Sequence, residues 1–421
     1  AGGLLGWSTA GSALFAVVTG FLWLPAVGSA AVLRGAAGVY LLAAALLASR
    51  RGFGTACVVA GAALLLQPAV RTIEDDALFD VVGATFSPER FSLEEAPRTF
   101  AEEGRAATVV VRNREGLPEL WVDSKIVASV GPTDRLHLAL LGHLPMALHP
   151  RAKRVAVVGL GTGITSSSAA AWEPDVLDVF ELEPAVARAA THFDDEGGGV
   201  PDRARLTFGD GRHHLALSDE RYDVITSDPI HPAVAGSAAL YSRENYELLM
   251  ARGDLVCQWL PLYQMRVDDA KLIVRTFASV FPYPYVFLAG PDALLVGTTK
   301  PLAIDEARLR ERLAEPAAAA LDAFGLRSAG QLMGLVVQGP DEARSFAGEG
   351  PLNTDDHLLL EFRCGRSWFV DETATNARYL RIGRIDPARL LNAPPSPAFR
   401  EELLLAKQFR TMMRVWLDWE D

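Results

Sequence analysis

Short apolar segments recur between residues 153 and 300, and predicted helices separate most of them. In chain order they are RVAVVGL, VLDVFEL, ARLTFGD, YDVITSD, DLVCQWL, PYVFLAG and ALLVGTT. Strands that are apolar along their whole length and alternate with helices are typical of a parallel sheet covered on both faces. The last two segments follow each other closely, which predicts an antiparallel hairpin at one edge. We therefore predict an α/β fold whose main domain, residues 151–300, is a doubly wound sheet.

Residues 1–70 are almost free of charge, since only Arg34, Arg50 and Arg51 occur there. They contain three apolar segments, at residues 11–33, 35–49 and 52–70. A membrane-spanning helix needs about 20 apolar residues, and the many Gly, Ala and Ser residues suit close helix packing in lipid. None of the segments has a polar face, so a buried hairpin of a soluble protein is the less favoured alternative. We predict about three transmembrane helices in residues 1–72.

A connector and a small β-hairpin domain are predicted for residues 73–150. The connector is acidic and is interrupted by Pro and Gly. The segment ATVVVRNREGLPELWVDSKIVAS alternates between apolar and polar residues around a turn at residues 115–118, which indicates a β-hairpin. The segment DRLHLALLGHLPMALHP then predicts a helix of about four turns that ends near Pro150. Residues 301–421 are predicted to be a mostly helical C-terminal region.

Charge and cysteine content exclude some classes of function. The net charge is −12, whereas a nucleic-acid surface needs clustered Lys and Arg, so no nucleic-acid partner is expected. The 3 cysteines lie far apart and show no spacing typical of metal ligands. We expect neither a disulfide framework nor a metal site, and a reducing compartment fits this pattern.

A glycine-rich turn follows the first strand of the predicted sheet. Its residues are Gly159, Leu160, Gly161, Thr162 and Gly163. Glycines let the backbone turn sharply and approach a ligand without interference from a Cβ atom, and the next helix directs its N-terminal amides to the same place. The pattern alone also fits a tight strand–helix turn that binds no ligand. The residues at the ends of the other strands therefore have to distinguish a ligand-binding turn from a turn that binds no ligand.

Carboxylates follow three further strands, at the edge where doubly wound sheets bind their ligands. Glu181 ends the second strand about twenty residues after the glycines. At this spacing one carboxylate can accept hydrogen bonds from both hydroxyls of a ribose. Glu183 would face the same side, or else cap the following helix. Asp210, next to Gly211, could receive an adenine amino group, and Asp228 ends the fourth strand. No phosphate-binding Gly-Lys-Ser/Thr loop is present, so a nucleoside without phosphate, such as an adenosylsulfonium, is the predicted ligand.

Seven segments between residues 107 and 299 together form a pattern far more specific than the glycine turn. They are HLPMALHP, VAVVGLGTGIT, FELEP, GDGR, YDVITSDPIHP, LYSRENYELL and CQWLPLYQM. This pattern resembles the spermidine synthase family of polyamine aminopropyltransferases, and more closely its membrane-fused branch, which TGFLWLPAVG and LNTDDHLLLEF also resemble. The resemblance implies a small N-terminal β-domain followed by a Rossmann-like, methyltransferase-type domain.

The resemblance also implies roles for individual residues. The glycine turn and Glu181 would hold the ribose and the methionine-derived part of S-adenosylmethionine or its decarboxylated form, and Asp210 would face the adenine. Asp228 would accept the proton of the attacking amine, which reacts only when unprotonated, and Tyr241 in the crevice is a second catalytic candidate. The predicted co-substrate contacts are Gly159, Gly161, Thr162, Gly163, Glu181, Glu183, Asp210 and Gly211.

Four residues are predicted to contact the amine acceptor: His137, His231, Gln258 and Tyr263. His231 could act as a second base near neutral pH, although a polar loop residue is the plainer interpretation. Tyr263 could line the pocket or belong to the core. His137 occupies a position where soluble family members carry Tyr, and Thr162 one where they carry an acid. These departures predict an acceptor other than the usual one.

These observations predict a membrane-anchored transferase. It would move an aminopropyl group from decarboxylated S-adenosylmethionine, or an alkyl group from a related sulfonium, to an amine and release methylthioadenosine. A methyltransferase with the same fold is the first alternative, somewhat favoured by Thr162, and a non-catalytic nucleoside sensor coupled to the membrane helices is the second. Expected partners are a di- or polyamine, membrane lipid and a second copy in a homodimer. The catalytic domain is expected on the cytoplasmic face of the inner membrane, because the nucleoside is made in the cytoplasm.

Overall fold

The structure is a computed structural model, which describes residues 2–23, 26, 28, 31–32, 34–39, 41, 96–367 and 370–406. The chain divides into two compact units. The smaller consists of Ala1–Gly116, Leu120–Ile126 and Glu183–Ala185, and the larger of Leu117–Glu119, Val127–Leu182 and Val186–Asp421. The helix that the sequence placed at the end of residues 73–150 therefore belongs to the larger unit.

The N-terminal part of the described chain is helical. Helix α1 covers Gly2–Val18 and is followed by a π-helical turn at Thr19–Trp23. Across the described residues, the structure contains no helix of sufficient length and apolarity to cross a bilayer. The prediction of three transmembrane helices in residues 1–72 has no support there, and its third segment, residues 52–70, lies wholly outside the described part of the chain.

The predicted hairpin is part of a four-stranded sheet in the order β1-β2-β3-β4. The strands are Arg98–Glu103, Thr108–Arg114, Leu117–Val122 and Lys125–Ser129. Glu115 and Gly116 connect β2 to β3 with φ of 53° and 87°, the left-handed backbone that a two-residue hairpin turn requires. The hairpin is confirmed, but Leu117 and Pro118, which were predicted in the turn, already belong to β3.

The larger unit is built on an eight-stranded sheet in the order β12-β10-β11-β9-β8-β5-β6-β7. Its strands β5–β12 are Arg154–Val158, Val176–Glu181, Ala204–Phe208, Tyr222–Ser227, Gly253–Pro261, Tyr283–Ala289, Asp292–Thr298 and Val336–Gln338. Strands β5 to β9 are parallel to one another and stand in the sequence order 3-2-1-4-5, which is typical of Rossmann-like domains. The predicted doubly wound sheet is confirmed.

Antiparallel strands complete the sheet on one side. The predicted hairpin, β10–β11, joins it through β11, which pairs with β9. The edge itself is β12, which pairs with β10 and comes from the region predicted to be mostly helical. With only 3 residues, β12 is too short to show a strand pattern in the sequence.

Helices cover both faces of the large sheet. Helices α2–α12 are Pro132–Leu148, Ile164–Ala170, Pro184–Ala190, Gly211–Leu217, Arg243–Arg252, Val267–Val280, Glu306–Ala314, Ala329–Met333, Pro340–Ala347, Leu359–Cys364 and Thr373–Leu380. Short 3₁₀ helices include Ser237–Tyr241. Along β5, Val155 and Val157 pack into one core cluster and Ala156 into another, so the strand is buried on both faces. Cys257 and Cys364 are buried free thiols.

Candidate active site

The parallel strands bring the predicted site residues to one edge of the large sheet. Val158, at the end of β5, is level with Phe180 of β6 and with Ser227 of β8. Ser227 is in turn level with Gln258 of β9. The glycine turn and the carboxylates that follow these strands are consequently neighbours, as the sequence predicted.

The three glycines of the turn have different functions in the structure. Gly159, Gly161 and Gly163 have φ of 94°, 56° and 85°, which other residues adopt only with strain. A Cβ atom on Gly163 would lie 1.9 Å from the carbonyl oxygen of Gly199, and one on Gly159 would lie 3.2 Å from that of Asp228. A Cβ atom on Gly161 would have no atom of the described residues within 4 Å apart from its chain neighbours. The outer two glycines therefore permit close packing, and Gly161 presents the open side of the turn.

Polar groups in and behind the turn can hold a nucleoside. Glu181 is buried, and its Oε2 accepts a hydrogen bond of 2.9 Å from the amide of Leu160. Thr162 is also buried, and within the described chain its hydroxyl has no hydrogen-bond partner. A buried hydroxyl without a partner costs about 1–3 kcal/mol, which a ligand that bonds to it would recover. The hydroxyl, the carboxylate and the open backbone at Gly161 fit a ribose and a sulfonium better than a pyrophosphate.

Glu183 belongs to the smaller unit, and its carboxylate forms hydrogen bonds within that unit. Its carboxylate accepts hydrogen bonds from the amides of Ala106 at 2.7 Å and Ala185 at 2.9 Å. A Cβ atom on Gly104 would lie 2.2 Å from the Glu183 carboxyl carbon, so the strand connection passes directly over it. These contacts agree with the helix-capping alternative, and a contact of Glu183 with the co-substrate stays a prediction.

Asp210 caps helix α5 at the end of β7. Its Oδ1 accepts hydrogen bonds from the amides of Arg212 at 2.9 Å and His213 at 3.3 Å. The cap uses one carboxylate oxygen only, so the predicted contact of Asp210 with adenine is compatible with it. Gly211 allows α5 to lie close to the sheet, because a Cβ atom there would meet Phe180 at 3.0 Å.

Asp228 follows the end of β8 and is partly buried. Burial raises the pKa of its carboxyl to about 6, the charge of His137 opposes this shift, and the charges of Asp292 and Asp134 add to it. A carboxylate that changes protonation just below neutral pH can accept a proton from an ammonium group and release it again. This is the property expected of a general base.

His137 forms a buried ion pair that the sequence did not predict. Its Nδ1 lies 3.2 Å from Oδ2 of Asp292, and the indole Nε1 of Trp259 donates a hydrogen bond of 2.9 Å to Oδ1 of the same carboxylate. The imidazole also stacks on Trp259, with ring centroids 5.8 Å apart. Burial lowers the pKa of His137, but Asp292, supported by Asp228 and Asp134, outweighs it and raises that pKa to about 9. His137 is therefore a cation at neutral pH.

The predicted acceptor residues surround one tryptophan. His231 and Tyr263 contact Trp259 with centroid distances of 6.5 Å and 6.0 Å, and we call these three residues with His137 the aromatic wall. The Nδ1 of His231 accepts a hydrogen bond from the amide of Ala233 at 3.2 Å, so its Nε2 carries the proton toward the carbonyl of Tyr263 at 3.1 Å. Both ring nitrogens are thus engaged with backbone, which favours a structural role over the predicted second base.

Tyr241 and Gln258 present buried polar atoms toward the same region. The hydroxyl of Tyr241 has no hydrogen-bond partner among the residues described, and neither does Oε1 of Gln258. Burial raises the pKa of Tyr241 well above its usual value, with Tyr246, Asp228 and Tyr263 adding to the effect, so the hydroxyl remains a neutral donor. The Nε2 of Gln258 is held by the carbonyl of Leu240 and the hydroxyl of Tyr246, each at 3.3 Å.

A group of potential metal ligands lies at the opposite edge of the sheet. Ligand atoms of His149, Asp223 and Asp254 are within 4.8 Å of one another. However, Asp223 already accepts hydrogen bonds from the amides of Lys153 and Arg154 at 2.6 Å and 2.9 Å. These bonds give the carboxylate a structural role at the start of β5, remote from the strand ends that carry the site.

Comparison with known families matches residues 136–252 to the spermine/spermidine synthase domain. This range contains the glycine turn, Glu181, Asp210, Asp228 and Tyr241. Residues 136–252 are therefore similar to the spermine/spermidine synthase domain. The predicted family resemblance and the transferase class that it implied are confirmed, whereas the membrane-fused branch stays a prediction.

Several named relatives share this region. The polyamine aminopropyltransferase of Thermococcus kodakarensis is 28% identical over 217 residues, which cover 48% of this chain and 75% of the relative. The corresponding protein of Moorella thermoacetica is 28% identical over 187 residues, 43% of this chain and 65% of its own. A spermidine synthase crystal structure in complex with the transition-state analogue AdoDATO aligns with a TM-score of 0.43 and 20% identity, covering 48% of this chain and 74% of that chain.

Proposed function

We propose that this protein transfers an aminopropyl group from decarboxylated S-adenosylmethionine to an amine and releases methylthioadenosine. The observation that carries the proposal is the position of Asp228: it follows β8 next to the glycine turn, inside the matched synthase domain, with a pKa raised to about 6. The names of the matched relatives, polyamine aminopropyltransferase and spermidine synthase, indicate a polyamine or diamine as acceptor.

The residues of the site divide the reaction between them. When bound, the sulfonium supplies the electrophilic carbon, and its C–S bond breaks as the N–C bond forms. Asp228 binds the acceptor's ammonium group and accepts the proton that the nitrogen must lose. Glu181 and Thr162 hold the nucleoside, and Tyr241 offers a hydroxyl that cannot itself ionise near neutral pH.

Part of the aromatic wall suits a cationic acceptor. Tyr263 offers a ring face and Asp228 offers negative charge, while the cationic His137 is stacked on Trp259 and paired with Asp292, which offsets its charge. A cation over an aromatic ring gains about 0.5–2 kcal/mol, and more when water is excluded. The wall thus provides both attraction for an alkylammonium chain and a surface that keeps water from the electrophilic carbon.

Product analysis tests this proposal. The full chain, purified in detergent, is incubated with decarboxylated S-adenosylmethionine or with S-adenosylmethionine, each with a panel of di- and polyamines. Mass spectrometry should find methylthioadenosine with the decarboxylated donor, and an acceptor heavier by one aminopropyl group. S-adenosylhomocysteine would instead indicate methyl transfer. Neither product, with nucleoside binding still visible by calorimetry, would favour the sensor.

Membrane attachment is a separate proposal, supported by the N-terminal residues alone. In α1 and the turn after it, Leu14, Phe15, Phe21 and Trp23 are exposed apolar side chains. We propose that this segment contacts the inner membrane and that the catalytic domain lies on its cytoplasmic face. After expression of the full chain, the protein should sediment with membranes through a carbonate wash. Recovery in the soluble fraction would overturn the proposal.

A further inference from the structure

The ion pair of His137 and Asp292 has no role in the reaction outlined above. Trp259, which contacts both residues, follows Gln258 on β9, and Gln258 is level with Ser227, the residue before Asp228. Asp292 is the first residue of β11, and 1% of its surface is exposed. A buried carboxylate is tolerated only when charges and hydrogen bonds compensate it. Here both oxygens are engaged, Oδ1 by the indole of Trp259 and Oδ2 by His137.

This geometry restricts the orientation of the imidazole. Because an indole N–H can only donate, Asp292 must accept through Oδ1. Its other oxygen then faces Nδ1 of His137, while the stacked ring of Trp259 limits rotation of the imidazole. The Asp292 carboxylate therefore faces Nδ1 of His137, and its negative charge favours the protonated, cationic form of the ring.

We propose that Asp292 is a positioning residue, which holds His137 as an imidazolium beside Asp228 and thereby keeps Asp228 ionised at neutral pH. The inference rests on the proposed function, since it concerns the base of that reaction. It adds a residue that lies in a hairpin outside the matched domain, far from His137 in the sequence.

The charges around the two groups determine the sign of the effect. His137 faces Asp292 from β11, Asp228 from the end of β8 and Asp134 from its own helix. Asp228 is in turn influenced by the cationic His137, which acts more strongly on it than the anionic Asp292 or Asp134. If His137 lost its charge, the remaining carboxylates would favour protonation of Asp228. The base would then be neutral over more of the physiological pH range.

Three variants follow from this order of effects. His137→Gln removes the cation and leaves both neighbouring carboxylates, so the acid limb of kcat/KM should move upward by about one pH unit. Asp292→Asn neutralises His137 but also removes one repelling carboxylate, so its upward shift should be smaller. The double variant should match Asp292→Asn alone, because His137 is already neutral there.

The control is a buried carboxylate elsewhere in the same sheet. Asp178 of β6 accepts hydrogen bonds from Arg205 at 2.6 Å and from Tyr222 at 2.8 Å. Asp178→Asn breaks an ion pair whose carboxylate is buried, although its Arg205 partner is exposed, so it should affect stability without moving the acid limb. An equal shift in this control would overturn the proposal, because a merely structural effect would then explain both.

A second readout does not depend on activity. Histidine-selective NMR, with the His137 resonance identified by its loss in His137→Gln, should show an imidazole that stays charged above pH 8 in the wild type and titrates at lower pH in Asp292→Asn. Ordinary titration in the wild type, or acid limbs that stay in place while His137 loses its charge, would overturn the inference. A wild type that forms no methylthioadenosine would contradict the proposed function, and the NMR comparison would still decide the state of the pair.

Discussion

Asp228 is a carboxylate whose surroundings oppose its charge. Burial raises its pKa to about 6, above the usual value near 4, so the ionised form that accepts a proton is lost as the pH falls through about 6. We expect kcat/KM of the wild type to show an acid limb near pH 6 when it is measured from pH 5 to 8. A limb near pH 4 would mean that the base is an ordinary exposed carboxylate.

Removal of the Tyr241 hydroxyl is expected to lower activity without lowering stability. Tyr241→Phe removes a buried hydroxyl that has no hydrogen-bond partner in the described part of the chain, so the free energy of unfolding should stay constant or rise by about 1 kcal/mol. The same change should lower kcat roughly tenfold, the effect of losing one hydrogen bond in the transition state. Denaturant unfolding and steady-state kinetics measure the two effects.

Tyr246 provides the matched control. Its hydroxyl accepts a hydrogen bond from Gln258, so Tyr246→Phe should destabilise the fold by about 1 kcal/mol, the opposite sign from Tyr241→Phe. If both variants lost stability equally, the Tyr241 hydroxyl would have a structural partner and its proposed role in the site would fail.

At the scale of elements, two glycines of the same turn are expected to have different roles, Gly163 in packing and Gly161 in ligand binding. Gly163→Ala would place a Cβ atom 1.9 Å from a backbone oxygen and should destabilise the fold by about 3 kcal/mol. The added methyl group of Gly161→Ala would meet no atom of the described part of the chain within 4 Å beyond its chain neighbours, so only backbone strain of about 1–2 kcal/mol is expected. Its methyl group should nevertheless weaken nucleoside binding, measured by calorimetry. Unchanged binding in Gly161→Ala would place the ligand elsewhere.

The segment after α10 supports the element that carries Tyr241. The side chain of the buried Asn353 donates to the carbonyl of Ala238 at 2.9 Å and accepts from the amide of Leu360 at 3.2 Å. Asn353→Ala leaves both groups unpaired and should lower the free energy of unfolding by about 2–3 kcal/mol in denaturant titrations. Asp356→Ala, at an exposed neighbouring position, should change it by less than about 0.5 kcal/mol. If the two variants lost similar amounts of unfolding free energy, Asn353 would not support the element that carries Tyr241.

The elements with strong local patterns could be predicted from the sequence. Strands β5 to β11 have 5 to 9 residues and most are mainly apolar, and the turn at Glu115 and Gly116 follows from residues that tolerate a left-handed backbone. Strand β12 could not be predicted, because its 3 residues gain their strand conformation from pairing with β10. The membrane helices predicted from apolar composition have no support among the described helices, and the segment at residues 52–70 lies outside the described part of the chain.

At the scale of the whole molecule, the topology explains why most of the site was predictable. Parallel strands deliver their carboxyl ends to one edge, so Glu181 and Asp228 could be placed together without knowledge of the loops. Asp292 was missed because its relation to His137 exists only in space, across a hairpin that pairs with β9. The hydrogen bonds between the His231 ring nitrogens and backbone groups were also missed, because they depend on the folded geometry and not on the local sequence.

The most direct measurement compares the wild type with Asp228→Asn, using decarboxylated S-adenosylmethionine and the best acceptor from the amine panel. Methylthioadenosine formation should fall at least about 10²-fold in the variant, because the base is lost, while donor affinity by calorimetry stays within about threefold. Stability at pH 7 should not fall, because folding raises the pKa of this partly buried carboxylate and so disfavours its ionised form. Full activity in Asp228→Asn would contradict the central claim that this carboxylate accepts the proton of the attacking amine.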